Sequence, residues 1–154
     1  MNDLLISFFV PIYNTERYLA ECIDSILAQQ GDFNIEIIMV DDASTDNSEQ
    51  VARRYLGDPR VRYVRHEVNK GAAYTLDEGF RLASGRYVAR IDSDDRYLPA
   101  FLQRTVPILE ANPDIGLVYG DIRTIDPAGA IEIYEDTNDG ISDQLIDSLA
   151  GDIP

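Results

Sequence analysis

The sequence predicts an α/β fold with a mostly parallel central sheet flanked by helices. Three observations predict it. Strand-like and helix-like segments alternate four times along the chain. Two of the strand-like runs, residues 4–10 and 35–40, are almost unbroken in apolar residues, as strands covered on both faces are. The segments between strands are long enough to hold a helix, which parallel neighbours with right-handed crossovers require.

Taken in order, residues 4–10 (LLISFFV) form the first strand, and Pro11 is expected to end it. Leu19, Cys22, Ile23, Ile26 and Leu27 then recur at helical spacing, predicting an amphipathic helix over about 15–29 that stops at Gly31. Residues 35–40 form a second strand ending in Asp41-Asp42. Asp46 with Glu49 resembles a helix N-terminus, and Val51, Ala52, Tyr55 and Leu56 make the inward stripe of the helix that follows. Residues 61–65 form a third strand whose interleaved arginines suit a sheet edge. Gly71 opens a helix with Ala72, Ala73, Leu76, Phe80 and Ala83 inward, closed by Ser84-Gly85. Residues 86–91 form a fourth strand running into Asp92. Pro99 then stands where a first helical residue would, with Phe101, Leu102, Val106 and Leu109 on one face and a kink expected at Pro107. Residues 115–119 read as a fifth strand, 122–125 and 130–134 as a hairpin about Asp126-Pro127-Ala128-Gly129, and 136–154 as a weakly patterned tail. The length suits one domain over 1–154.

Bulk properties exclude some functions. With 13 basic and 28 acidic residues the net charge is −15, which argues against nucleic acid or an anionic membrane as main partner. A phosphorylated ligand stays possible, because a cation can mediate between two anionic groups. Cys22 is the only cysteine, so no intramolecular disulfide forms, and its apolar helix face reads as core. No basic segment precedes the short first apolar run, so no signal peptide is read, and no apolar stretch reaches the ~20 residues of a membrane helix. A cytoplasmic location is the expectation.

In sheets of this kind ligands bind beyond the carboxyl ends of the strands. The informative residues are therefore 11–14, 41–44, 66–71 and 92–95. Asp92, Asp94 and Asp95 repel one another unless solvated or bound to a cation. In an extended segment Asp92 and Asp94 would point the same way, and two carboxylates with phosphate oxygens suit magnesium or manganese. The alternative is an acidic loop before a helix start. Asp41 and Asp42 could accept from a base imide or a ribose hydroxyl, or could simply build a turn. Tyr13 could stack on a nucleobase or be structural. Asn69-Lys70-Gly71 places a cation and a glycine at a helix N-terminus, a place that favours anions, or a plain loop and cap. His66 reads as a strand-end residue, not a ligand or base.

Together, SFFVPIYN (7–14), YLAECIDSILAQ (18–29), EIIMVDDASTDNS (36–48), NKG (69–71), ASGRY (83–87), RIDSDD (90–95) and Leu98-Pro99 resemble the family-2 glycosyltransferases, which have the GT-A fold. The resemblance covers residues 6 to 120. It implies that Pro11 and Tyr13 line the donor's base, that Asp42, with Asp41 nearby, contacts base or ribose, and that Lys70 and Gly71 lie close to the nucleotide. It implies that Asp92, with Ser93, lies near ribose and metal, and that Asp94 ligates Mn2+ or Mg2+ bridging to the diphosphate. The implied ligand is a nucleoside-diphosphate sugar, UDP-sugar favoured, and the implied acceptor a sugar or glycan such as a cell-surface polysaccharide.

Inverting members of the family supply a general base from a later segment, and this chain stops at Pro154, before it. Glu135-Asp136 falls too early and reads as surface. The expectation is a truncated, donor-binding portion whose catalytic base is unknown. A receiver-like signalling domain would need its acidic pair after the first strand. A dinucleotide oxidoreductase would need a G-x-G-x-x-G there. A nucleotidyltransferase would need a Gly-rich, Arg-containing loop there. A non-catalytic nucleotide-sugar-binding module remains as the alternative.

Overall fold

The computed structural model describes residues 5–120. The chain separates into units Met1–Val118 and Tyr119–Pro154, and every element below lies in the first. Among the described residues four strands and four helices alternate: β1 (Leu5–Ile12), α1 (Leu19–Leu27), β2 (Asn34–Asp41), α2 (Ser48–Arg53), β3 (Val61–Arg65), α3 (Ala72–Leu82), β4 (Tyr87–Arg90) and α4 (Phe101–Ala111). The strands pair in parallel in the order β3-β2-β1-β4. From β1 the chain steps outward to β2 and β3, then recrosses to lay β4 on the other side of β1. Strand order therefore reverses between β1 and β4, and their carboxyl ends diverge into a crevice.

Alternation along β1 assigns its two faces. Ile6, Phe8, Val10 and Ile12 join Leu19, Cys22, Ile23 and Ile26 of α1, Val51 and Ala52 of α2, and Leu102 and Val106 of α4 in one buried cluster. Phe9 faces the other way, with Ile38 and Val40, against Leu76 and Leu82 of α3. Each such side chain contributes about 1.5–3 kcal/mol by leaving water. That two-sided burial is why β1 reads as an unbroken apolar run. Its one buried polar residue, Ser7, donates to Glu36 at 2.6 Å and accepts from the Gly85 N–H at 2.8 Å, tying the turn before β4 to the sheet.

Several elements depart from the sequence expectation. Pro11 does not end β1. Ladder bonds alternate sides along the strand: the Phe9 carbonyl accepts from Ile91 toward β4, and the Ile12 carbonyl accepts from Asp42 toward β2. Pro11 points toward β4, beyond the last paired residue Arg90, so no ladder bond needs its missing N–H. Helix α1 starts at Leu19, after turns at 16–18, because the preceding loop is tied to the α2 entrance. Leu56 lies past the short α2 and is exposed. On α3 the buried residues are Thr75 and Gly79, with Leu76 half-buried; Ala72 and Ala73 are exposed, and Phe80 is half-exposed with its ring 6.1 Å from that of Phe9. Apolar spacing alone hid this, because the closest contact is made by a glycine. Pro99 lies in the turn before α4, whose N-cap is Ala100, and Pro107 lies inside the helix. Residues 115–119 form no strand: Leu117 and Tyr119 are exposed, and no described strand pairs with the segment. The hairpin, Glu135-Asp136 and the tail lie outside the described residues. The arginine-bearing β3 does lie at a sheet edge.

Two backbone positions generate tests. A Cβ on Gly79 would come within 3.0 Å of three ring atoms of Phe9, so Gly79→Ala should lower unfolding free energy by about 1–2 kcal/mol, overpacking outweighing the gain in helix propensity. Gly57, with nothing near it, is the control: Gly57→Ala should leave the urea midpoint nearly unchanged. Ala43 sits at φ +59°, a left-handed conformation costly for a residue with a Cβ. Ala43→Gly should raise stability by about 0.5–1 kcal/mol in the same assay, relief of strain outweighing the greater freedom of the unfolded chain.

Candidate functional site

The carboxyl ends of β1 and β4 open a cleft of about 460 Å³. Pro11, Ile12, Tyr13 and Thr15 line it from β1, and Arg90, Asp92, Ser93 and Asp94 from β4. Asp42 after β2, and Asn69, Gly71, Ala72, Thr75 and Leu76 at the start of α3, complete the wall. Of the sequence-singled residues, Pro11, Tyr13, Asp42, Gly71, Asp92, Ser93 and Asp94 thus meet in one place. Asp41 and Lys70 do not line it.

Asp41 and Asp42 part company because of alternation. Ile37 and Met39 face the α1 side, and Asp41 continues that row. It is fully buried, accepting from the Tyr63 hydroxyl at 2.7 Å and the Ser44 N–H at 2.8 Å, with the Arg65 guanidinium 3.5 Å away. Tyr63 is pushed far above its ordinary value, first by burial and then by that hydrogen bond. Asp41 therefore builds the turn that carries Asp42. The next segment is braced across the sheet end. The Asn14 N–H donates to Ser44 Oγ at 3.0 Å, and Asn14 Oδ1 accepts from the Thr45 N–H at 2.8 Å. Asp46 accepts from the N–H groups of Ser48 and Glu16, and Glu16 accepts in turn from the Asn47 N–H.

Asp42 points the other way and is almost as buried. Its Oδ1 accepts from His66 Nδ1 at 2.6 Å and from the Lys70 N–H at 2.7 Å, and its Oδ2 from the Gly71 N–H at 2.8 Å. Burial pushes its carboxyl up, but these three donors outweigh burial and hold it below the ordinary carboxylate range. Gly71, at φ +86°, turns the chain so that its N–H meets this carboxylate. The Lys70 ammonium rests over the Tyr74 ring, 4.3 Å from its centroid. His66, read from sequence as an idle strand end, is buried and also bonded through Nε2 to Glu78 of α3. Its signal was position: it directly follows β3, in the ring of strand ends.

The acidic run is a turn, not an extended segment, closed by the Asp95 N–H donating to the Asp92 carbonyl at 2.9 Å. The turn brings Asp92 and Asp94 into the same cleft. Arg90, which the sequence reading passed over, lines the cleft and pairs with Asp92; a charged residue at the carboxyl end of a buried strand was the available clue. Among the described residues no hydrogen bond or ion pair holds Asp94, which is exposed. The cluster's field is felt nearby. Burial first, then the charges of Asp94 and Asp92, raises Asp95; burial first, then Asp95, Asp94 and Asp92, pushes the Cys22 thiol up to about 12. No group of three or more His, Cys, Asp or Glu disposed to hold a metal occurs among the described residues. Two cleft carboxylates fit a small divalent cation that completes its shell with ligand phosphate and water, rather than a cage made by protein alone.

No described helix is long and apolar enough to cross a membrane. Known proteins share both sequence and fold. The chain is 49% identical over 92 residues to the glycosyltransferase GlyG of Streptococcus pneumoniae, an alignment covering 59% of this chain and 30% of GlyG. Residues 1–349 of S. aureus TarS, crystallised with UDP, superpose with a TM-score of 0.64 at 28% identity, over 70% of this chain and 32% of that one. The mannosyltransferase PcManGT of Pyrobaculum calidifontis, in complex with GDP-Man and Mn2+, gives 0.65 at 29% identity, over 72% and 33%. The chain spans about a third of the length of each. The parallel sheet with its helices is that of the GT-A transferases, and the Glycosyl transferase family 2 model matches residues 7–138, so this chain belongs to glycosyl transferase family 2.

Proposed function

We propose that the cleft binds a nucleoside-diphosphate sugar, UDP-sugar by preference, for transfer of the sugar with inversion to a glycan acceptor such as a cell-surface polysaccharide. The observation that carries the reading is Asp94: an exposed carboxylate with no partner among the described residues, facing the crevice where strand order reverses. Support comes also from the solved relatives, one holding UDP and one GDP-Man with Mn2+.

In this reading Tyr13, half exposed beside Pro11, offers a ring to the base. Asp42 has about four acceptor sites and three are taken, so one stays for a base imide or ribose hydroxyl. Asp41 serves indirectly, by fixing that turn. Gly71 brings bare backbone near the nucleotide, and Lys70 sets a positive charge at the rim. Asp92 and Ser93 sit toward the ribose. Asp94, with Asp92, would hold Mn2+ or Mg2+; the bound ion would neutralise charge on the leaving diphosphate. Arg90 keeps Asp92 oriented. The general base is assigned to no residue of this chain. The cytoplasm, where activated nucleotide sugars are made, is the proposed location.

Titration calorimetry of the 154-residue chain with UDP tests the reading. Manganese should tighten UDP by about tenfold or more, ~1.4 kcal/mol. Asp94→Ala should leave the same Kd with and without manganese. Equal metal dependence in wild type and variant would sink the metal assignment, and no binding of UDP or GDP by the wild type would sink the donor site.

A further inference from the structure

We propose that His66 is a positioning residue of the donor site: a charged imidazole, clamped between Asp42 and Glu78, fixes the Lys70–Gly71 backbone that walls the cleft. The link to the donor rests on the reading given under Proposed function; the clamp itself rests on geometry.

Both ring nitrogens of His66 face carboxylate oxygens, Nδ1 on Asp42 at 2.6 Å and Nε2 on Glu78. A neutral imidazole carries one N–H, and an ionised carboxylate only accepts. Both bonds form together only when both nitrogens are protonated. The ring is buried, so water does not replace either bond. Its main chain is fixed as well, the N–H donating to the Asp41 carbonyl at 2.8 Å. The charged and titratable groups facing it are Asp42 at the end of β2, Glu78 and Tyr74 of α3, and Lys70 of the intervening loop. Tyr74 meets the ring edge-on at 5.5 Å.

Loss of the proton breaks one of the two bonds and leaves two carboxylates without the cation between them. Asp42 is also the acceptor for the Lys70 and Gly71 N–H groups, and Gly71 caps α3, whose first residues line the cleft. A proton on His66 is thus coupled to the cleft wall. Burial opposes the charge, but the hydrogen bonds to Asp42 and Glu78 outweigh it and raise the imidazole above its ordinary value. The clamp is complete below the ordinary value of about 6.5 and is lost as pH rises through the raised one.

His66 is the only histidine, so its ring resonances are unambiguous. Without ligand, NMR should give the imidazole a pKa above about 6.5, with the Lys70 and Gly71 amides shifting at the same midpoint. An ordinary or lowered pKa, or amides that ignore it, overturns the clamp whether or not UDP binds. With UDP and manganese, His66→Ala should weaken binding about tenfold near pH 6, and the variant-to-wild-type Kd ratio should fall toward one near pH 9. His66→Asn, which can still donate to Asp42 but carries no charge, should recover part of the affinity at low pH. A ratio independent of pH would reduce His66 to a structural residue. Retained manganese dependence in these variants separates this clamp from Asp94. If wild type binds no UDP at any pH, the donor reading fails and the link to it falls, while the ligand-free titration still decides the clamp.

Discussion

Everything in this unit follows from the enclosure of β1. It has a strand on each edge and helices on each face, so its backbone and side chains are shut off from water in four directions. Its carboxyl end leads into the cleft. The return of the chain from β3 to β4 makes that end a crevice, because β2 and β4 lead away from β1 into different loops. An apolar strand and a polar cleft are thus two consequences of one topology.

At the open end the carboxylates divide their labour. Asp41 and Asp42 are adjacent in sequence, yet strand alternation sends them to opposite sides, and each spends its oxygens on internal donors. Buried carboxylates are tolerable only when so satisfied. Asp94 has no such partner among the described residues and is exposed, which leaves its oxygens for something that comes from outside. Burial and pairing, not residue type, therefore separate the scaffold residue Asp41 from the exposed Asp94, with Asp42 both braced and facing the cleft. The strained left-handed backbone at Ala43 lies between Asp41-Asp42 and the bracing Ser44, where the sequence needs a sharp turn and supplies no glycine.

Much of this was legible before any coordinates. The apolar runs of β1 and β2, the crossover helices and the strand-end positions of Asp42 and Asp92–Asp95 follow from local pattern, and local pattern survives in a parallel sheet. What was lost depends on contacts between distant residues. Pro11 continues β1 because β4 has already ended beside it, a fact of register. Gly79 is the inward residue of α3 because it meets Phe9, and hydropathy gives a glycine no weight. Residues 115–119 have a strand's composition but no partner among the described strands, and composition does not supply one. His66 looked idle because its two acceptors, Asp42 and Glu78, are 24 and 12 residues away.

The chain's charge of −15 makes anion binding look implausible until its distribution is considered. Net charge governs long-range attraction, but over a few ångströms the local arrangement decides. Around the cleft, the positive elements are fixed by the negative ones: Arg90 by Asp92, the Lys70 and Gly71 N–H groups by Asp42, and His66 by Asp42 and Glu78 together. Acidic residues here do not merely repel a phosphate. They hold Arg90 and the Lys70–Gly71 backbone in place at the cleft. A carboxylate-rich cleft is thereby compatible with the diphosphate ligand proposed for it.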